Sequence, residues 1–287
     1  MTGAAHRFAQ RSVKAAAALV PAPAGTVVLI YHRVGARSAL DVDLATAEFD
    51  HQVAWLADED HTVPLEDALE TMAPGQEPPG QEPPGQKAPG QGTAAHVPAV
   101  VITFDDGTAD FADTALPILV AHRIPVTLYL ATAFIEEQRP FPDDGQPLSW
   151  AALRDACATG LVDVGSHTHT HAVLDRLPAD QVAGELDRSK ELIEDRLGRP
   201  CHDFAYPKAL PPSPAADAAV RSRFRSAALA GTRPNPAGKT DVYRLSRSPI
   251  QRSDGTRYFE RKVAGGMGLE DGLRTVANRW RYRGVRS

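Results

Sequence analysis

The sequence predicts an α/β fold in which parallel strands form a barrel or near-barrel surrounded by helices. Apolar, β-branched runs and amphipathic helical patterns alternate about seven times along the 287-residue chain, with short connections. The most chemically distinctive residues, a pair of aspartates and a group of histidines, follow directly after apolar runs. In barrels of this kind, functional residues collect at the carboxyl ends of the strands.

Composition is that of a soluble globular protein, with 43% hydrophobic and 23% charged residues. The net charge of −5 gives no reason to expect a nucleic-acid partner, and no partner protein can be inferred. The two cysteines, Cys157 and Cys201, do not form a paired spacing. We therefore expect both to be reduced, and neither to ligate a metal.

Both ends of the chain carry excess positive charge. Residues 1–25 hold three basic residues and no acid, and we expect a helix over 6–20. A second helical extension, 251–287, is also basic. The N-terminal apolar stretch Ala15–Val20 is too short to span a membrane. We expect a cytoplasmic protein or one peripheral to the membrane, with the basic termini as the membrane contact.

The main domain is predicted to span residues 26–250. It begins with a strand at 26–31, followed by a helix that Thr46 caps and a shorter helix over 64–72. An imperfect five-residue Pro-Gly-Gln repeat then predicts a disordered insertion over 74–95, because this composition cannot build a core.

Strands and helices alternate again after the insertion. Strand 97–102 leads to a helix over 109–123, which Pro117 is expected to kink. The later elements are predicted as follows: strand 125–131, loop 132–148, a helix from a Ser149 cap to Gly160, strand 161–165, helix 178–197, strand 202–206, helix 214–224, strand 225–229, strand 242–250 and two C-terminal helices.

Asp105 and Asp106 stand at the end of a buried strand, in the run Thr103–Gly107. Two consecutive carboxylates at such a position are costly unless they have partners. Because neighbouring side chains of a strand point in opposite directions, one carboxylate can bind a cation while the other lies beside what the cation holds. The alternative is a simple strand end with an Asx turn.

Three histidines, His167, His169 and His171, follow another strand within five residues. The spacing of four brings the rings of His167 and His171 to one side, whereas His169 is expected in an outer or surface position. Two imidazoles and a carboxylate suit Zn²⁺ or a similar divalent ion and leave coordination positions open. The alternative is a set of hydrogen-bonded polar residues at a strand end.

These two motifs, T-F-D-D-G and H-T-x-x-H, resemble those of the polysaccharide deacetylases of the NodB-homology group, carbohydrate esterase family 4. The resemblance runs from about residue 26 to 250. It implies a distorted (β/α)₇ barrel and removal of acetyl groups from N-acetylated carbohydrates or related amides. It also implies that Asp106, His167 and His171 bind one divalent metal ion, with Zn²⁺ as the expected ion. Asp105 would be the base that takes a proton from metal-bound water as that water attacks the amide carbonyl.

Tyr31-His32-Arg33 is similar to the Tyr-His motif of the poly-N-acetylglucosamine deacetylase branch, in which the motifs are circularly shifted. This likeness implies that His32 is the general acid, since the chain has no late histidine for that role. The alternative is a histidine hydrogen-bonded at the mouth of the barrel.

Residues 204–208 match the family's third motif imperfectly, because Ala205 stands where many members have an arginine that contacts the catalytic aspartate. The resemblance places Tyr206, Lys208 and Arg247 on the substrate and oxyanion side, with the Lys208 backbone N–H as an oxyanion donor. Arg247 is a candidate to replace the missing arginine; the alternative is a surface arginine.

We therefore expect a metal-dependent carbohydrate deacetylase. Two alternatives stay open at this stage. One is a hydrolase of the same fold that acts on a non-carbohydrate amide or a small acetylated metabolite. The other is a carbohydrate-binding relative without activity, which the departures at Ala205 and Lys208 keep open.

Overall fold

Seven parallel strands form a nearly closed barrel in the computed structural model, which describes residues 24–75 and 98–267. The strands follow one another around the barrel in chain order, and the last pairs with the first. The barrel strands are β1 Val27–Tyr31, β4 Val100–Phe104, β5 Val126–Leu130, β6 Val162–Ser166, β7 Asp203–Ala205, β8 Ser226–Ala228 and β9 Arg247–Pro249. A parallel bridge between Ala228 and Leu245 narrows the gap between β8 and β9. The predicted barrel fold is confirmed.

A small parallel pair, β2 Arg33–Val34 and β3 Asp43–Leu44, follows β1. Helices fill most of the connections between barrel strands. Their bounds are α1 Thr46–Asp58, α2 Leu65–Met72, α3 Leu116–His122, α4 Thr132–Glu136, α5 Trp150–Ala158, α6 Ala179–Leu197, α7 Pro214–Arg221 and α8 Gly255–Val263.

The core has two layers, because the barrel strands β1, β4 and β5 are buried on both faces throughout. The larger layer lies between the strands and the surrounding helices. The smaller layer fills the barrel interior, where Val28, Val101 and Tyr129 meet apolar residues of α2. Since Val63 pairs with Val100 at the start of β4, α2 closes the amino end of the barrel. The candidate site residues lie at the opposite end, after the carboxyl ends of the strands.

Several local predictions were wrong. The stretch 132–148 is not all loop, because α4 forms at its start and is held by tertiary contacts rather than by a side-chain cap. Thr46 is not the cap of α1: Ala45 occupies that position. The predicted strand 242–250 shortens to β9, since Asp241 accepts a hydrogen bond from Tyr243 N at 3.1 Å and starts a tight helical turn there.

The predicted helix 109–123 divides into a π-helical turn, Phe111–Ala115, followed by α3. Pro117 lies in the first turn of α3, where its missing N–H does least harm. Wide turns of this type are frequent next to functional sites.

The predicted terminal helix 6–20, residues 76–95 of the insertion and the chain after residue 267 lie outside the described residues. The proposed domain boundaries therefore stay predictions. Within the described part, α8 packs on α1 through Trp55 and Phe259, whose ring centroids are 5.8 Å apart. None of the described helices has the length and apolarity that a membrane crossing requires.

Candidate active site

The ends of β4 and β6 bring three potential ligands together. Asp106 Oδ1 lies 3.4 Å from His171 Nε2 and 3.7 Å from His167 Nε2. One ligand atom from each of these residues lies within 4.8 Å of the other two. His169 is not in this group: its Nδ1 lies 2.9 Å from Thr132 Oγ1.

The geometry of Asp106, His167 and His171 fits one bound cation. Their separations exceed ordinary hydrogen-bond lengths, so the three groups do not satisfy one another. Two ligand atoms on one Zn²⁺, each about 2.0–2.2 Å from the ion at a tetrahedral angle, would lie about 3.3–3.6 Å apart. The observed spacings of 3.4 and 3.7 Å are close to that range. Nitrogen and oxygen donors of this kind suit a divalent ion such as Zn²⁺.

The surroundings of His167 fix its tautomer in the form that a metal site requires. Its Nδ1 lies 2.8 Å from the carbonyl oxygen of Ala205. Because a carbonyl can only accept, Nδ1 carries the proton and Nε2 presents its lone pair towards Asp106. Burial lowers the pKa of His167 from 6.5 to about 4, although the charge of Asp105 opposes the shift. The ring is therefore neutral at pH 7, as a metal ligand must be.

The backbone around these potential ligands adopts the left-handed conformation at several non-glycine positions. The φ angles are 76° at Asp106, 66° at Thr168 and 62° at His171. Such angles are unfavourable for a β-branched residue such as Thr168. Their concentration around one group of side chains is typical of a functional site, where the surrounding structure holds the strain.

Asp105 does not join the three potential ligands but lies beside them, with Oδ2 3.9 Å from His167 Nε2. Arg247 donates two hydrogen bonds to its carboxylate, at 2.7 Å to Oδ1 and 2.9 Å to Oδ2. Both side chains are buried. Burial alone would raise the pKa of Asp105, but Arg247, His167 and His32 outweigh it and hold that pKa below its usual range.

Arg247 reaches Asp105 through the barrel interior. Its guanidinium also donates to Thr103 Oγ1 at 3.0 Å and to the Leu229 carbonyl at 3.1 Å, and it lies 5.0 Å from the Tyr129 ring centre. Full burial excludes the alternative of a surface arginine. Tyr129 itself packs against small residues of neighbouring strands, namely Gly165, Ala205 and Ala228.

Gly165 shows how little space is left. A Cβ atom there would lie 2.6 Å from the Tyr129 ring and 2.7 Å from the carbonyl oxygen of Asp203. Both distances are shorter than real Cβ contacts, so glycine is needed at this point of β6 for the close approach.

His32 follows β1, next to β4. The Asp105 N–H donates to the carbonyl of Tyr31 at 3.0 Å, which brings the two strand ends together. The positive form of His32 would favour the Asp105 carboxylate electrostatically. His32 Nδ1 is buried and has no hydrogen-bond partner among the described residues. A buried polar atom in that state is available to a ligand or a water molecule.

Two residues to which the sequence analysis assigned no role, Asp110 and Arg33, fix the segment after His32. Asp110 accepts a hydrogen bond from Val34 N at 2.6 Å. Arg33 donates to the carbonyls of Pro142 and Asp143 at 2.6 and 2.8 Å, which fastens the loop after α4 beside the barrel mouth. No local pattern identifies these contacts, because the partners are 76 to 110 residues apart in the chain.

Tyr206 and Lys208 follow β7, and neither belongs to the group formed by Asp106, His167 and His171. The Tyr206 ring is buried and packs edge to face on Phe204, with centroids 5.0 Å apart. Burial raises the pKa of its hydroxyl, whose electrostatic neighbours include Asp217 and Arg244. The Lys208 side chain is exposed, and its backbone is left-handed with φ of 56°.

Residues 93–226 match the family model described as polysaccharide deacetylase. A Bacillus subtilis (strain 168) protein named "Putative polysaccharide deacetylase YxkH" is 23% identical over 186 residues, which are 64% of this chain and 57% of the relative. The chain thus spans little more than half the length of that curated relative.

Two solved structures show the same fold. IcaB from Ammonifex degensii is 23% identical, with a TM-score of 0.69 over 86% of this chain and 98% of IcaB. The deacetylase PplD of Streptococcus pyogenes, solved in complex with acetate, is 20% identical, with a TM-score of 0.65 over 84% of this chain and 99% of PplD.

Proposed function

We propose that this chain is a metal-dependent hydrolase of N-acetyl groups on a carbohydrate. The premise is that the chain belongs to the polysaccharide deacetylase family, whose model matches residues 93–226. One observation supports this proposal above the others. A carboxylate and two imidazoles meet at the carboxyl end of the barrel, and a second, separately held carboxylate lies beside them.

In this proposal Asp106, His167 and His171 hold one divalent ion, with Zn²⁺ as the expected ion. A bound cation of this kind polarises an amide carbonyl and makes a water molecule more acidic. The neutral state of His167 supports the assignment, because its Nε2 lone pair is free of a proton at pH 7.

Asp105 acts as the base that takes the proton of the attacking water. Arg247 keeps the carboxylate ionised and fixes its plane through the two hydrogen bonds. The lowered pKa makes Asp105 a weak base. A weak base can still take a proton from the water when that water has become more acidic.

His32 donates the proton that the departing amine requires. Its position at the end of β1 and its unpartnered, buried Nδ1 support this role. The backbone N–H of Lys208 is proposed as an oxyanion donor. Tyr206, whose buried ring packs on Phe204, is proposed to position the turn at Pro207 that carries this N–H.

The alternative of an inactive binding relative has less support than the motif at 204–208 alone suggested. The arginine expected at Ala205 is replaced in space by Arg247, which reaches the same catalytic carboxylate. A non-carbohydrate amide as substrate stays a second candidate. Membrane contact through the basic termini also stays a prediction.

The test is acetate release from a panel of N-acetylated oligosaccharides, compared with small acetylated metabolites, after metal is stripped and then restored. We expect release from oligosaccharides only with metal present. Asp105→Asn should retain the metal and abolish release. The proposal would be contradicted by a wild-type protein that releases acetate from no substrate. It would also be contradicted if Asp105→Asn released acetate as fast as the wild-type protein.

A further inference from the structure

The loop that carries His171 has a strained backbone conformation. Thr168 and His171 both have positive φ angles, 66° and 62°, within a stretch of four residues. Neither is a glycine, and such conformations persist only where neighbouring groups hold them. The position of His171 therefore depends on what anchors the residues on either side of it.

The first half of the loop is anchored to β6 and α4. Thr168 N donates to Ser166 Oγ at 3.2 Å, and the Thr168 carbonyl accepts from Thr132 N at 3.3 Å. The carbonyl of His169 accepts from Ala133 N at 2.8 Å. These contacts hold residues 168–169. After His171, Ala172 N donates to Thr168 Oγ1 at 3.1 Å, so the neighbour of His171 that none of these contacts reaches is Thr170.

Thr170, which directly precedes His171, is held by Glu185 of α6. Its N–H donates to Glu185 Oε2 and its hydroxyl donates to Glu185 Oε1, each at 2.8 Å. One carboxylate thus binds both donors of a single residue. Hydrogen bonds to an ionised acceptor are shorter and stronger than neutral ones. Glu185 itself is not in the group of potential metal ligands found among the described residues.

We propose that Glu185 is a positioning residue for the metal centre, which fixes His171 through Thr170. This inference rests on the proposed function, since it assumes that His171 binds a metal. Outer partners of metal ligands typically change metal affinity by about 10- to 100-fold when they are removed. Because Glu185 is only partly buried, we expect a loss near the lower end of that range.

The test is calorimetric titration of Zn²⁺ into metal-free protein. Glu185→Ala should weaken binding by about 10-fold or more, and Glu185→Gln by less, because it keeps one acceptor oxygen. Glu191→Ala removes an exposed acid from the same helix and should leave the affinity unchanged. The melting temperature of each metal-free variant is measured alongside, because a purely structural role would lower it without changing the affinity.

Thr170→Val supplies a second test that keeps the shape of the side chain. It should weaken Zn²⁺ binding in part, and the loss should not add to that of Glu185→Ala. Affinities of Glu185→Ala and Thr170→Val within twofold of the wild-type value would overturn the proposal. If the wild-type protein itself bound no stoichiometric Zn²⁺, or His171→Ala bound it equally well, the proposed function would fail instead.

Discussion

Replacing Arg247 by methionine should destabilise the protein and change the pH dependence of its activity. The substitution leaves the buried Asp105 carboxylate without its two charge-assisted hydrogen bonds. At an effective dielectric constant of about 20, opposite charges about 4 Å apart attract by about 4 kcal/mol. Breaking one side of a buried ion pair typically costs about 3–5 kcal/mol, and we expect a loss of unfolding free energy in that range.

The same substitution should shift the acid limb of the pH–activity profile to higher pH. In the wild-type protein, Arg247 is the largest of the influences that oppose burial and lower the pKa of Asp105. Without Arg247, burial is opposed less and the pKa of Asp105 rises. A base must be deprotonated to act, so activity should be lost at a higher pH in Arg247→Met than in the wild-type protein.

Urea unfolding of metal-free protein measures the stability change, within a double-mutant cycle that includes Asp105→Asn. The cycle should give a coupling energy of about 2 kcal/mol or more, since each single variant leaves one buried charge unpaired. Arg154→Met, at an exposed position of α5, serves as the matched control. A cost below about 1 kcal/mol for Arg247→Met, or a coupling energy near zero, would refute the reasoning.

Three further predictions concern His32, His167 and Gly165. His32→Ala should retain its metal, measured by elemental analysis, while kcat falls by about 10²–10⁴-fold; unchanged turnover would remove His32 from the mechanism. In metal-free protein, the pKa of His167 is lowered from 6.5 to about 4. Between those pH values, position 167 is protonated in the unfolded chain and neutral in the folded protein. The unfolding free energy should therefore fall by about 1.4 kcal/mol per pH unit as the pH drops through that window. Urea titrations of His167→Gln should lack this slope, and identical slopes would contradict the burial argument. Gly165→Ala should destabilise by about 1–3 kcal/mol, because its Cβ meets Tyr129 and a backbone oxygen. Gly184→Ala, where a Cβ meets nothing within 4 Å, should not destabilise the protein, and equal melting temperatures for the two variants would be inconsistent with the close contact at Gly165.

The barrel was predictable because its strands are buried on both faces and therefore appear as continuous apolar runs. The grouping of Asp106 with His167 and His171 was predictable for a related reason. Each follows a parallel strand, and the carboxyl ends of such strands meet at one end of a barrel. A prediction of spatial proximity required only the order of the elements.

Residues that act through tertiary contacts were not predictable. Glu185 is one of several acids on α6, and Asp110 occupies an ordinary polar position before a helical turn. Each is distinguished only by the groups that it binds, and those groups belong to a different part of the chain. Helix α4 was missed for the same reason, because it is short, has no side-chain cap and relies on contacts with the histidine loop.

Ala205 and Arg247 show why a departure from a local motif does not by itself indicate lost chemistry. Alternate residues of every barrel strand face one shared interior, so a guanidinium can reach Asp105 from β9 as well as from β7. Volume constrains the exchange, since Tyr129, which lies beside Arg247, packs in one cluster with Ala205 and Ala228 and approaches Gly165 too closely for a Cβ atom there. An arginine at position 205 would compete with Arg247 for the same space and the same carboxylate. The small residue at 205 and the large one at 247 are therefore one feature of the barrel interior, in which the Asp105 carboxylate has a guanidinium partner from β9.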